Sequence, residues 1–164
     1  IDLTLRFREA NNDKEKEQQE SIFLIDQWCA EYENKIRSLG GIGFFLGGIG
    51  PDGHIAFNVR GSDHNSTTRL TVTNFETQAA AATDLGGIEI SRNRLVITIG
   101  LRTITYNSEA TGIIIAAGEA KSLIIKKSLE NSPDVKYPAT ALTKLKLSGW
   151  LQERSTCLSG CLVC

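Results

Sequence analysis

IGFFLGGIGPDGHIAFN, residues 42–58, is the stretch from which the rest of the chain is read. Its first half is a continuous apolar run bounded by glycines, the pattern of a buried parallel strand. Its second half breaks at once into Gly47, Gly48, Gly50, Pro51, Asp52, Gly53 and His54. Glycines there give the backbone positive φ and allow close approach to a ligand. Two readings fit. One is a surface turn. The other is an acid/base site at the carboxyl end of a strand, where open α/β sheets bind their ligands. In that second reading His54 exchanges a proton near neutral pH, and Asp52 orients the ring and raises its basicity.

Outward from this stretch, helical and strand patterns alternate. Asn12 and Glu15 form a capping-box-like start for a helix that runs to about Leu39 and ends at Gly40 and Gly41. Ile22, Ile25, Cys29, Tyr32 and Ile36 recur at helical spacing and form its expected inner face, with Trp28 flanking them in the core. Residues 1–7 read as a short strand. Further strands are expected at 69–73, 94–100 and 111–118, the last the clearest buried one. Helices are expected at the alanine-rich 75–85, around 102–106, at 119–131, and at 138–147 behind Pro138. The alternation predicts an α/β fold with a largely parallel sheet. Periodicity fades near residue 148. Residues 1–147 therefore read as the domain, and 148–164 as an unclassified cysteine-rich tail.

The 164 residues suit one domain with one core. A formal net charge of -1 leaves no electrostatic footprint for nucleic acid or an anionic membrane. No run approaches the ~18 apolar residues of a membrane span. The opening stretch lacks the basic-then-apolar order of a secretory signal, so a cytoplasmic protein is expected. Methionine is absent even from position 1, and the expectation is a fragment or processed form of a longer product.

FLGGIGPDGHIAFN resembles the signature of the glucosamine-6-phosphate deaminase family, also called glucosamine-6-phosphate isomerases. AEYENKIRSLGGI before it, and TTRL, GEAKS and PATAL after it, resemble the same family in the same order, over roughly residues 25–146. The resemblance implies a Rossmann-like three-layer α/β sandwich, incomplete here. It implies a cytoplasmic enzyme of amino sugar metabolism, in N-acetylglucosamine catabolism, classed as a hydrolase. Its reaction takes glucosamine 6-phosphate to fructose 6-phosphate and ammonia by ring opening and isomerisation, with no metal or organic cofactor. The partner implied is a small sugar phosphate, and the resemblance leaves room for a homo-oligomer. Asp52 and His54 match the family's ring-opening pair. Gly47, Gly48 and Gly50 match its substrate-facing turn, and Lys121 matches a lysine that binds the substrate phosphate. A lysine in the first turn of a helix suits an anion partner, because free N–H groups collect there; the alternative is a solvated surface lysine. Arg69 matches an arginine of the allosteric site of some members.

The chain also departs from the pattern. Val59 stands where the family has a catalytic glutamate, and Thr83 where it has a phosphate-holding arginine. The family's phosphate loop and its C2 base belong to an N-terminal half that is expected to be missing, and a last strand is expected to be missing beyond residue 146. Two other readings follow. A 6-phosphogluconolactonase-like hydrolase shares the Asp-Gly-His turn, although IAFN continues it on the deaminase side. A non-catalytic sugar-phosphate-binding domain would keep the pocket and lose the base. Cys157, Cys161 and Cys164 have the spacing of an iron–sulfur motif, and the last four residues fit a prenylation pattern. Both need surroundings that are absent from this sequence. Asn65 stands in a glycosylation sequon, and His64 in the same polar loop is expected to be solvated.

Overall fold

The computed structural model describes residues 1–73, 95–153 and 161–163. The helix expected at 75–85, and Thr83 with it, lies outside the described residues. So do Cys157 and Cys164, on which the two tail motifs depend.

The chain opens with a 3-10 turn, Leu3–Arg6, where a strand is expected. Asp2 accepts from the Thr4 amide at 2.9 Å and so caps a turn instead of extending. Helix α1 spans Asp13–Ser38. The Asn12 side chain accepts from the Glu15 amide at 2.9 Å, as the capping pattern predicts. Glu15 reaches one residue further back than a capping box requires, to the Asn11 amide at 2.8 Å. The buried face of α1 is Ile22, Cys29 and Glu33, not Tyr32. Tyr32 and Trp28 are 41% and 51% exposed and stack on each other, so the expectation of Trp28 in the core is corrected. The helix turns this way because Ile22 packs on Leu5 and Leu70 in a small core of its own.

Strands β1 (Phe44–Gly48), β4 (Thr111–Ala117), β5 (Leu147–Glu153) and β6 (Cys161–Val163) make one sheet in the order β1-β4-β5-β6. The first three are parallel and β6 is antiparallel. The expected α/β class with a mostly parallel sheet is what the structure shows. Strands β2 (Arg69–Val72) and β3 (Leu95–Thr98) pair separately and antiparallel. A one-turn helix α2 (Leu101–Ile104) follows β3, and helix α3 (Ser122–Glu130) follows β4. Pro138–Lys144 is a 3-10 helix, not the α-helix expected. Strand β5 corrects the reading of residues beyond 146 as lacking a strand. Its signal is weak because Ser148 and Gly149 interrupt the apolar run, yet Trp150 is 4% exposed in the main core.

That core lies on one face of the sheet. Ile114, Ala116 and Trp150 meet Leu101 and Ile104 of α2, Ile124 and Ile125 of α3, and Ala139 and Leu142. The other face is open among the described residues, so β1 and β4 are not buried on both sides as their apolar runs suggest. Phe44 and Leu46 are more than half exposed. No described helix is long and apolar enough to cross a membrane.

His64 is buried instead of solvated, and its Nε2 has no hydrogen-bond partner. Burial, with Lys144 nearby, lowers its pKa against the weaker pull of the Asp134 backbone, Asp63 and Asp134. A histidine held neutral in the fold takes up its proton more readily once unfolded. Its contribution is therefore complete above the unfolded pKa of about 6.5 and is lost as pH falls below it. Urea midpoints are expected to fall between pH 7.5 and 5.5, and His64→Gln to flatten that slope. An unchanged slope in the variant overturns the assignment.

Candidate active site

The turn that follows β1 is built by backbone hydrogen bonds. The Gly50 amide donates to the His54 carbonyl and the Gly53 amide to the Gly50 carbonyl, both at 3.0 Å. Gly53 has φ 84°, in the left-handed region that favours glycine. Gly50 has a different reason. A β-carbon there would fall inside the van der Waals radii of Cε1, Nδ1 and Nε2 of His54, so only glycine lets the ring lie across the turn. Ala56 is the one non-glycine residue with positive φ among those described, at 52°. Conformations of this kind cluster where surrounding structure fixes a functional loop.

Surrounding contacts fix this one. The Ala139 amide donates to the Gly53 carbonyl at 2.9 Å, which ties the turn to residues 138–144. Asn58 is fully buried. Its Nδ2 donates to the carbonyls of Ile55 at 3.0 Å and Ile99 at 2.8 Å. The Phe57 amide donates to Thr98 Oγ1 at 3.0 Å. Asn58 is a positioning residue that sequence reading passed over, although it closes the quoted stretch.

Asp52 and His54 face one another. His54 Nδ1 lies 2.5 Å from Asp52 Oδ1. Asp52 also accepts from the His54 amide at 3.4 Å and the Arg60 amide at 3.3 Å. The two side chains are 4% and 15% exposed, so the pair is sheltered while the ring keeps an open side. A proton on Nδ1 would point at the carboxylate and leave Nε2 as the exchanging nitrogen. The arrangement supports general acid/base work at a polar ligand atom.

Parallel pairing puts Gly48 of β1 opposite Ile115 of β4, so the segments leaving both strands emerge side by side. Gly53 faces Ile124 of α3, whose Cδ1 would be 3.1 Å from a β-carbon at Gly53. Lys121 is the N-cap residue of α3 and the last residue of the 3-10 turn Glu119–Lys121 before it, not part of the helix's first turn. Asp52 and His54 follow β1 and Lys121 follows β4, so chain order and parallel pairing put these segments beyond the same end of the sheet. Gly47 and Gly48 belong to the strand itself and Gly50 to the turn. Arg69 turns inward, its guanidinium donating to Asn58 Oδ1 at 2.9 Å and the Thr67 carbonyl at 3.3 Å. Burial lowers its pKa. Tyr137 lies beside the turn with the Arg60 guanidinium 5.8 Å and the Lys127 ammonium 5.6 Å from its ring centroid. The quoted motifs gave no signal for Lys127.

Comparison with known proteins bears on this constellation. No protein-family model matches the chain. It is 40% identical over 119 residues to a glucosamine-6-phosphate isomerase of Candida albicans, covering 72% of this chain and 48% of the relative. It is 41% identical over 102 residues to a glucosamine-6-phosphate deaminase of Caenorhabditis elegans, covering 62% of this chain and 38% of that one. The chain spans about half the length of the curated relatives it matches, or less. Among solved structures, a monomeric glucosamine-6-phosphate deaminase of the NagB superfamily superposes with a TM-score of 0.69 at 28% identity, over 79% of this chain and 52% of its own. A 6-phosphogluconolactonase from Plasmodium vivax shares the fold with a TM-score of 0.54 at 15% identity.

Proposed function

We propose, on the premise that the chain is a partial-length homologue of the glucosamine-6-phosphate deaminase/isomerase family, that it carries the ring-opening acid/base of that reaction. The observation that supports this most directly is the sheltered Asp52–His54 contact of 2.5 Å at the end of a parallel strand. His54 protonates the ring oxygen of glucosamine 6-phosphate as the C1–O bond breaks. The C1 hydroxyl returns a proton to Nε2 of His54 and the open-chain aldehyde forms, so the imidazole ends in the state in which it began. Asp52 holds the imidazole in the tautomer that does this and stabilises its charged form. Lys121 meets the phosphate with its ammonium charge, from the N-cap position of α3. The later steps, isomerisation and loss of ammonia to give fructose 6-phosphate, need a base at C2. Val59 cannot take the relay role of a glutamate. Amino sugar metabolism in the cytoplasm is the setting that follows from this reading.

Ring opening has a readout of its own. An opened sugar recloses to either anomer, so a ring-opening catalyst speeds exchange between the α and β forms. Saturation transfer between the anomeric protons of glucosamine 6-phosphate measures that rate, and ammonia release measures the complete reaction. Faster exchange is the expected result. Binding without faster exchange would replace this reading with the non-catalytic sugar-phosphate domain that Val59 favours. Hydrolysis of 6-phosphogluconolactone without either effect would replace it with the lactonase.

A further inference from the structure

His64 is 8% exposed, in the polar loop that leaves the active-site turn. Its Nε2 has no hydrogen-bond partner among the described residues. Buried polar atoms without partners are rare, and a titratable one changes its demands when it takes up a proton. The charged groups that face the ring come from three places. Asp63 stands beside it in its own loop, Asp134 in the segment before the 3-10 helix Pro138–Lys144, and Lys144 at the end of that helix. Ring opening makes no use of His64.

Both segments that meet at His64 also hold the turn. Loop 59–66 reaches Asp52 through the Arg60 amide, which donates to Oδ2 at 3.3 Å. Segment 134–144 reaches the turn through the Ala139 amide, which donates to the Gly53 carbonyl at 2.9 Å. The two segments are joined where the Gly61 amide donates to the Val135 carbonyl at 2.8 Å. Each is stiffened by bonds of its own. The Ser66 amide donates to the Asp63 carbonyl at 3.0 Å, and the buried Thr140 hydroxyl donates to the Tyr137 carbonyl at 2.6 Å. A change in their separation at His64 therefore reaches Asp52 and Gly53 together.

We infer that His64 is a pH-operated latch on the candidate active site: neutral, it lets loop 59–66 close on residues 134–144, and protonated, it opens that contact and loosens the hold on Asp52 and Gly53. A second proton would put a charge in a buried position and leave an N–H at Nε2 with no acceptor. The Lys144 ammonium adds repulsion, and Asp63 and Asp134 offset only part of the cost. Opening lets the ring reach water. The closed contact is thus fully stable above the open-state pKa of about 6.5 and weakens as pH falls below it. Between pH 7.5 and 5.5 the open population rises about tenfold. That the latch regulates a reaction rests on Asp52 and His54 being the acting pair; the latch itself does not.

The test is amide exchange of the full 164-residue chain at both pH values, read at Arg60, Gly61 and Ala139 and corrected for the intrinsic pH dependence. Protection at these three should fall about tenfold at the lower pH. It should change little in dilute urea, as a local opening does, whereas Ile114 in the sheet should respond steeply. His64→Gln should keep protection nearly equal at both pH values. In the wild type, the His64 imidazole followed by NMR should titrate below about 6.5. An equal fall in His64→Gln overturns the inference, as does exchange of the three amides only together with Ile114. If the glutamine variant does not fold, the wild-type titration decides, and a midpoint at or above about 6.5 overturns the latch. No sugar enters these readouts, so a failed ring-opening assay leaves them interpretable. A failed latch likewise leaves the anomer-exchange assay standing.

Discussion

Replacing His54 with alanine should lower the rate of anomer exchange in glucosamine 6-phosphate by about 10²–10⁴-fold, the usual contribution of one positioned acid/base group. Sugar-phosphate binding should change little, because the phosphate is assigned to Lys121 and the start of α3. Alanine at Gly50 should produce much of the same loss by a different route. The added methyl occupies the space of the His54 ring, which must leave Asp52 to avoid it. The proton donor is then present but misplaced. If Gly50→Ala kept wild-type exchange, the ring position described here would not be the catalytic one. If His54→Ala kept it, ring opening would belong to another group.

The largest stability effect is expected at Glu33. Its buried carboxylate accepts from the Thr68 amide at 2.8 Å, from the Thr68 hydroxyl at 2.6 Å and from the Thr103 hydroxyl at 2.5 Å. One oxygen thereby joins α1, the start of β2 and α2. Burial pushes this carboxyl up, but the hydrogen bonds from Thr103 and Thr68, with Arg37 nearby, outweigh it and hold the pKa below its usual value. Glu33→Ala leaves three donors without their acceptor. At about 1–3 kcal/mol for each orphaned group, and with hydroxyls free to rotate, a loss of roughly 3 kcal/mol is expected. For a chain of this size that is about 6–12 °C in melting temperature. Glu33→Gln retains an acceptor and should lose less. Because the folded pKa is depressed, the ionised carboxylate stabilises the fold above the unfolded value of about 4.3. That stability is lost as pH falls through the lower folded value. A melting temperature within two or three degrees of wild type in Glu33→Ala would rule out this role.

The same cluster shows where sequence was silent. Periodicity placed α1 to within a residue or two, because its cap and its glycine stop are local chemistry. It assigned the wrong neighbour to the inner face, since a glutamate reads as solvent-facing until Thr68 and Thr103 stand opposite it. The strand at 111–117 was legible because Ile113, Ile114 and Ile115 run together within a wholly apolar stretch. Residues 147–153 were not, because that strand is held by its parallel partner more than by its own pattern. In the site, the spacing of Asp52 and His54 after a strand left a surface turn open as well, and it was the family resemblance that singled them out. Asn58 was invisible, since its two carbonyl partners belong to a turn and to a residue far along the chain.

Parallel pairing also sets an order of assembly. Thr111 of β4 finds Leu147 of β5 across a segment that includes α3, whereas Phe44 of β1 must wait for Thr111 across nearly twice that length of chain. Closing the longer loop costs more entropy before any contact rewards it. The segment from β4 to β5 is therefore expected to nucleate, with β1 joining a sheet already formed. Substitutions in β1 should speed unfolding while leaving the folding rate nearly untouched. The turn that carries His54 is then expected to take shape only after the β4–β5 pair has formed.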